Sequence, residues 1–347
     1  MMDPQPLVTV IVPCRNEGRW IGPCLASILA NDYPLDRLEL LVVDGLSSDE
    51  TRAVVESYAA SHGCIRLLDN HRQITPVALN IGIAAARGDV IMRMDAHVDY
   101  PADYIRLLVE LLAEKGADNV GGVCQTLPGG ETALARAIAI GMSHPVGVGN
   151  SYFRIGSAEE RWVDTVPFGC YRKEVFARIG LFDEELVRNQ DDEFNLRLIR
   201  NGGRILLAPQ VVCRYYTRDS LRKLWRMYYQ YGYFKPLVVR KVKGVMTLRQ
   251  LGPPLFVLCL IAGALLAPWS RLAAAALPLF VALYASVVAG CALAAVRKHG
   301  WQAALGLCLV FPAIHLSYGI GYLQGLVKFL VFRRCARVNA AQTPISR

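Results

Sequence analysis

The run "GDVIMRMDAHVDYP", residues 88–101, starts as a buried strand and finishes on Asp95, His97 and Asp99. If the strand ends between them, a turn at 96–98 lets Asp95 and His97 converge on a single point. A carboxylate and an imidazole so placed can hold Mn2+ or Mg2+, with phosphate oxygens completing an octahedral shell. Asp44, which ends the apolar run in "LLVVDGLSSDET", is a second strand-ending acid, able to accept from a nucleobase N–H or a ribose hydroxyl. Ser47, Ser48, Asp49 and Thr51 behind it are candidate helix caps. A third group is Gln190, Asp191, Asp192 and Glu193 in "RNQDDEF". Acids in a first helical turn offset the macrodipole, and one of them can also act as a general base toward an attacking hydroxyl. No G-x-G-x-x-G and no Walker lysine follows an apolar run, which argues against dinucleotide and NTPase chemistry.

These residues need a frame. Apolar runs alternate with amphipathic stretches: "VTVIVPC" then 17–30, "LELLVVD" then 50–61, "CIRLLDN" then 75–87, "DVIMRMD" then 102–115, and "NVGGVCQ" afterwards. That rhythm predicts βαβ units and a mostly parallel, Rossmann-like α/β sheet. Ligands of such sheets sit outside the carboxyl ends of the strands. Arg15 to Glu17, Asp44, Asn70 to Arg72 and Asp95 to Asp99 therefore fall on one rim. Residues 160–213 change to a turn-rich segment with a helix over 191–200, marked by Phe194, Leu196, Leu198 and Ile199.

Charge divides the chain. Residues 1–213 hold 28 acidic and 20 basic residues, a net of −8, while 214–249 carry +9 and 250–347 carry +8. Asp219 is the last acid. Because the positive charge adjoins long apolar runs and the front domain is acidic, anionic lipid headgroups fit better than nucleic acid. The stretches 250–270, 272–296 and 299–327 lack Asp, Glu, Lys and Arg, and each is long enough to cross roughly 30 Å of hydrocarbon. Residues 218–243, "RDSLRKLWRMYYQYGYFKPLVVRKVK", interleave aromatics with Arg and Lys and read as an interfacial helix. The N-terminus has no basic signal-peptide region, so the front domain is expected in the cytosol. Ten cysteines without a C-x-x-C pair read as reduced thiols. The expected organisation is a catalytic domain over 1–216, a basic interfacial segment over 217–249, a transmembrane region over 250–332 and a polar tail over 333–347. Three full crossings would put "RRCAR" outside, against the positive-inside rule; Pro253 and Pro254 make the first segment the candidate for a partial one.

Over roughly residues 7–235 the chain resembles a family 2 glycosyltransferase of GT-A fold. "VTVIVPCRNEGRWIGPCLASI" is similar to the family's nucleotide-gripping strand and turn, with Pro13, Arg15 and Glu17 at the matching positions. "VVDGLSSDET" matches its Asp-bearing second strand, which implies a uracil-side contact for Asp44. "ALNIGIAAARGDVIMRMDAH" resembles the segment leading to the D-x-D, with Asn80, Gly82 and Gly88 in step and His97 where the second Asp usually stands. "FGCYRKEVFARIGLFDEELVRNQDDEFNLRLIRNGGRI" resembles the acceptor-side segment, which begins near Gly169; alignment on "LRL" puts Asp191 on the catalytic Asp and Gln190 on the neighbouring Glu, with Asp192 as understudy. "QYGYFK", with Gln230 at its head, is a loose echo of Q-x-x-R-W.

The resemblance is strongest to the succinoglycan-type exopolysaccharide subgroup. It implies a metal-dependent inverting enzyme that moves a sugar from a nucleotide sugar, read as a UDP-sugar, to a polyprenyl-diphosphate-linked saccharide at the cytoplasmic face of a bacterial inner membrane. The implied donor-side residues are Pro13, Arg15, Glu17, Asp44, Arg72, Asn80 and Asp95; the implied acceptor-side residues are Gly169, Gln190, Arg222, Arg226, Gln230 and Lys235. Asp95 and His97 would take the metal. A polyprenyl-phosphate sugar synthase and a non-catalytic membrane scaffold are the competing expectations.

Overall fold

The computed structural model describes residues 5–244 and 247–332, so the expected tail at 333–347 lies outside the described residues. In chain order the first elements are β1 (Val8–Cys14), α1 (Gly18–Leu29), β2 (Leu38–Asp44), α2 (Thr51–Ser61), β3 (Ile65–Asp69), α3 (Thr75–Ala85) and β4 (Val90–Arg93). They are followed by β5 (Val98–Asp99), α4 (Tyr104–Glu114), β6 (Asn119–Leu127), α5 (Ala133–Met142), α6 (Pro145–Val148), α7 (Tyr152–Ile155), β7 (Arg161–Trp162), β8 (Cys170–Arg172), α8 (Glu174–Ile179), α9 (Gln190–Arg200) and β9 (Ile205–Tyr216). Three long helices come last: α10 (Leu221–Val242), α11 (Gly252–Leu266) and α12 (Arg271–Leu326).

Among the described residues the sheet runs β3-β2-β1-β4-β8-β6-β9-β5, with β7 on β9. β1 pairs in parallel with β2 and β4, and β2 with β3. Every residue of β2 is buried, and all of β1 except Pro13 nearly so, as a parallel strand covered on both faces requires. α1 buries Ile21, Cys24, Leu25 and Ile28, a single stripe at helical spacing. Gly88 has to be glycine, because a Cβ there would stand 2.6 Å from both the Leu7 carbonyl and the Thr9 nitrogen of the neighbouring strand.

Beyond β4 the sheet reverses: β8 is antiparallel to β4 and β6, and β5 and β7 are antiparallel to β9. β7, β8 and β9 of this mixed half come from the segment the sequence marked only as turn-rich. β8 has three residues and β5 and β7 have two each, too few to show a period.

The chain forms two compact units. One comprises residues 5–125 and Gly156–Tyr215 and holds the α/β fold; the other comprises Thr126–Ile155 and 216–332. The segment 126–155, placed by its sequence position inside a 1–216 domain, thus belongs with the helices. In the helical unit, Gly300 (φ 77°, ψ 161°) breaks α12 into arms over 271–299 and 301–326. The three charge-free stretches fall on α11 and these two arms. By length and composition two helices, 249–266 and 271–331, are able to cross a membrane. α11 itself has 15 residues, about 22 Å, short of the roughly 30 Å hydrocarbon core. α10 lies against the second arm through small residues: a side chain at Gly232 would strike the Tyr318 backbone, and one at Gly321 or Gly325 the backbone of Tyr229 or Tyr233. The first turns of α10 present an exposed basic and aromatic face, through Arg222, Lys223, Trp225 and Arg226.

Candidate active site at the carboxyl edge of the parallel strands

The loops leaving the parallel strands hold an unusual backbone. Asn16 follows β1, Leu46 follows β2 and Gln73 follows β3, and each has φ between 54° and 58°. Phe168 (φ 48°) precedes β8 and Asn189 (φ 62°) precedes α9. Non-glycine residues seldom adopt this conformation, and its concentration along one rim marks that rim as the working edge.

The turn expected after β4 is present at Ala96 and His97. Asp95 is held by a fork: Arg93 Nε donates to Oδ1 at 2.9 Å and its Nη2 donates to Oδ2 at 3.1 Å. The Asp95 amide donates to the Tyr100 hydroxyl at 2.7 Å. Burial alone would raise the Asp95 carboxyl; Arg93, His97 and Arg188 together outweigh it and hold the group below the ordinary carboxylate range. His97 stands with Nδ1 3.9 Å from Glu17 Oε1 and its ring edge-on to Tyr215. The loop after β1 and the loop after β4 thus meet. Asp99 is turned to another task, an ion pair with Arg214 between β5 and β9.

Could these groups hold a divalent ion? No cluster of three or more His, Cys, Asp or Glu able to do so exists among the described residues. Asp95 and His97 supply one ionised oxygen ligand and one imidazole. That pair fits Mg2+ or Mn2+ drawing its remaining ligands from substrate phosphates and water.

Asp44 is different. It has no exposed side-chain surface. Oδ2 accepts from the Ser47 amide and from Arg52, both at 2.9 Å; Oδ1 accepts from the Ser47 hydroxyl at 2.5 Å and lies 3.8 Å from Cys14 Sγ. Direct contact with a nucleobase requires displacing one of these donors, of which the thiol is weakest. Arg15 is exposed, and its side chain lies against the place a Cβ of Gly45 would take. Glu17 anchors its turn by donating its amide to Thr51 at 2.7 Å.

On the acceptor side, α9 opens with Gln190 buried and Asp191 and Asp192 part-exposed. Glu193 is committed to Arg197 at 2.8 Å. The Arg93 guanidinium would lose basicity by burial, but Asp95 and then Asp191 keep it firmly protonated. Burial, followed by the charge of Asp191, pushes the Tyr171 phenol upward. Asp191 is therefore the member of the acidic run whose charge reaches the group that holds Asp95. Below it Asn195 is fully buried, accepting from Asn119 Nδ2 at 3.0 Å and donating to Thr165 at 2.9 Å, which pins α9 to the sheet. Gly169 leaves room for this knot: a Cβ would lie 2.5 Å from Asn119 Oδ1.

Asn80 and Arg72 meet the loop that leads into α9. Asn80 Nδ2 donates to the Phe182 carbonyl at 2.9 Å, its Oδ1 accepts from the Phe182 amide at 3.0 Å, and Arg72 pairs with Glu184. Their observed contacts are with this loop. In the helical unit Arg222 and Arg226 are exposed, whereas Gln230 and Lys235 are buried. The sequence reading missed Arg93, Arg188 and Asn195. Arg93 had a signal, being the lone cation in an otherwise apolar strand.

Comparison with known proteins gives a consistent placement. Residues 9–180 match the family model described as glycosyl transferase family 2. The chain is 30% identical over 322 residues, 92% of its length and 95% of the relative, to succinoglycan biosynthesis protein ExoA of Rhizobium meliloti (strain 1021). It is 30% identical over 242 residues, 67% of its length and 74% of the relative, to the dolichyl N-acetyl-alpha-D-glucosaminyl phosphate 3-beta-D-2,3-diacetamido-2,3-dideoxy-beta-D-glucuronosyltransferase of Methanococcus voltae. In fold it is similar to mannosyltransferase PcManGT from Pyrobaculum calidifontis, solved with GDP-Man and Mn2+, at a TM-score of 0.64 and 23% identity over 92% of this chain and 88% of that one. With an α/β sheet whose carboxyl edge gathers these carboxylates, and a relative 30% identical over 92% of its length, the chain belongs to glycosyl transferase family 2 and has the GT-A fold.

Proposed function

We propose that this glycosyltransferase moves a sugar, with inversion at the anomeric carbon, from a nucleotide sugar to a polyprenyl-diphosphate-linked saccharide at a membrane surface. The observation that carries this reading is the rim itself, where the Arg93 guanidinium forks Asp95 and lies within reach of the charge of Asp191. Asp191 accepts the proton of the acceptor hydroxyl as that oxygen attacks. Asp95 and His97 would hold a divalent cation, Mn2+ or Mg2+, whose contribution when bound would be to neutralise charge on the departing nucleoside diphosphate. Arg188 adds positive charge beside Asp95. Asp44 keeps the turn after β2 in shape for the nucleoside, a role its contacts with Ser47 and Arg52 support.

The helical unit supports attachment to a bilayer. Its only acids among the described residues are Glu131 and Asp219, and α11, the turn after it and the first arm of α12 expose Leu255, Leu265, Trp269, Leu272 and Leu279. An apolar belt of that kind with a basic, Trp-bearing start to α10 suits anionic headgroups, and by the positive-inside rule the cytoplasmic leaflet of a bacterial inner membrane. The Methanococcus voltae relative, whose name specifies a sugar phosphate carried on dolichol, favours a glycosylated lipid acceptor over a bare lipid phosphate. The test is a mass-spectrometric assay of purified protein against a panel of nucleotide sugars, with glycosylated and bare polyprenyl lipids, with Mn2+ and with EDTA. Metal-dependent extension of the glycosylated lipid is expected; extension of the bare lipid alone, or no transfer from any donor, would overturn the reading.

A further inference from the structure

Arg93 is an enclosed cation on the rim, and the chemistry described above assigns it no step. Its side chain is 15% exposed and the Asp95 side chain it holds is 16% exposed. As the last residue of β4 it has a fixed backbone: its amide donates to the Gly169 carbonyl at 3.1 Å, and the next amide, that of Met94, to the Ile11 carbonyl at 3.0 Å. The guanidinium therefore projects from a point tied to β1 on one side and to the turn before β8 on the other. From there it binds Asp95 through both carboxylate oxygens, leaving that group one orientation.

A surface ion pair of two long side chains would do little of this, since its geometry wanders. Here the cation is short of solvent, its base is fixed, and its carboxylate partner is as enclosed as itself.

We propose that Arg93 is a positioning residue for sugar transfer: its planar fork fixes Asp95 for the donor, and its charge serves the acceptor-side base. The two contributions are separable because lysine keeps the charge and cannot form the fork, whereas glutamine keeps neither. The inference rests on the transfer reading given above.

Arg93→Lys and Arg93→Gln are to be compared with wild type in steady-state transfer, each checked first by thermal unfolding. Arg93→Lys is expected to raise the donor KM by about 10-fold while kcat stays within about 3-fold; Arg93→Gln is expected to lower kcat by a further ~100-fold, the scale of lost acid–base assistance. A merely structural role would reduce the amount of folded enzyme, leaving KM unchanged. An unchanged donor KM in Arg93→Lys, or equal kcat in the two variants, overturns the proposal. If Arg93→Gln fails to fold, the KM of Arg93→Lys decides alone. Wild-type protein that transfers nothing would instead refute the underlying function and leave no kcat to divide.

Discussion

Strand β2 carries an acid at each end, and the two ends behave differently. At its start Glu39, 1% exposed, accepts from Thr9 Oγ1 at 2.7 Å, from the Arg87 amide at 2.9 Å and from Arg87 Nε at 2.8 Å, with Arg66 at 3.2 Å. Nothing there is in the left-handed region. At the other end Asp44 opens a rim on which five such residues gather and on which Asp95 keeps part of its surface in contact with solvent. Burial of a carboxylate therefore does not by itself mark function. What distinguishes the working edge is strained backbone together with charges that are paired yet still reachable.

The widest separation between the two edges should come from Asp95→Ala. It removes the partner of a buried guanidinium and one of two metal ligands, so kcat/KM for the donor should fall by about 10²–10³-fold, read by steady-state transfer. Survival of activity within a few-fold would move the donor site elsewhere. Glu39→Gln should do the reverse, costing about 1–3 kcal/mol of unfolding free energy in denaturant melts while leaving kcat near wild type. Its pH dependence follows from a carboxyl that burial would raise but that the Arg87 amide, Thr9 and the Arg87 side chain together hold below its usual value. A depressed folded value means the stabilisation is complete above the unfolded value, roughly pH 4.3, and is lost as pH falls through the folded one. Wild type should accordingly lose more stability than Glu39→Gln when melts are run from about pH 6 downward. The smallest effect expected is from Asn80→Ala: loss of the two-point clamp on Phe182 should lower kcat several-fold, roughly 1 kcal/mol, through the loop that enters α9. A change confined to nucleotide affinity would return Asn80 to the donor pocket.

Much of this edge could be read in advance. Apolar runs at β1, β2, β3 and β4, each followed by an amphipathic helix, give the parallel half directly, and strand-ending residues then have to share a rim. Asp95, His97 and Asp191 were reached that way and by resemblance. The antiparallel half was hidden because β5, β7 and β8 are too short to carry a period. Asn195, and the partner of Asn80, were hidden for another reason: the contacts lie 76 and 102 residues away, and a single asparagine in a helix looks the same whether it faces water or a buried partner. Arg93 sat within a quoted strand and was passed over beside two acids.

The central claim is that Asp191 takes the acceptor's proton beside a donor held at Asp95, and Asp191→Asn tests it most directly. Sugar transfer and nucleotide binding should be measured on the same preparation, the second by calorimetry with UDP and Mn2+. Transfer is predicted to fall by about 10³-fold with the dissociation constant unchanged within two-fold. Turnover close to wild type, or a parallel collapse of nucleotide binding, would contradict it.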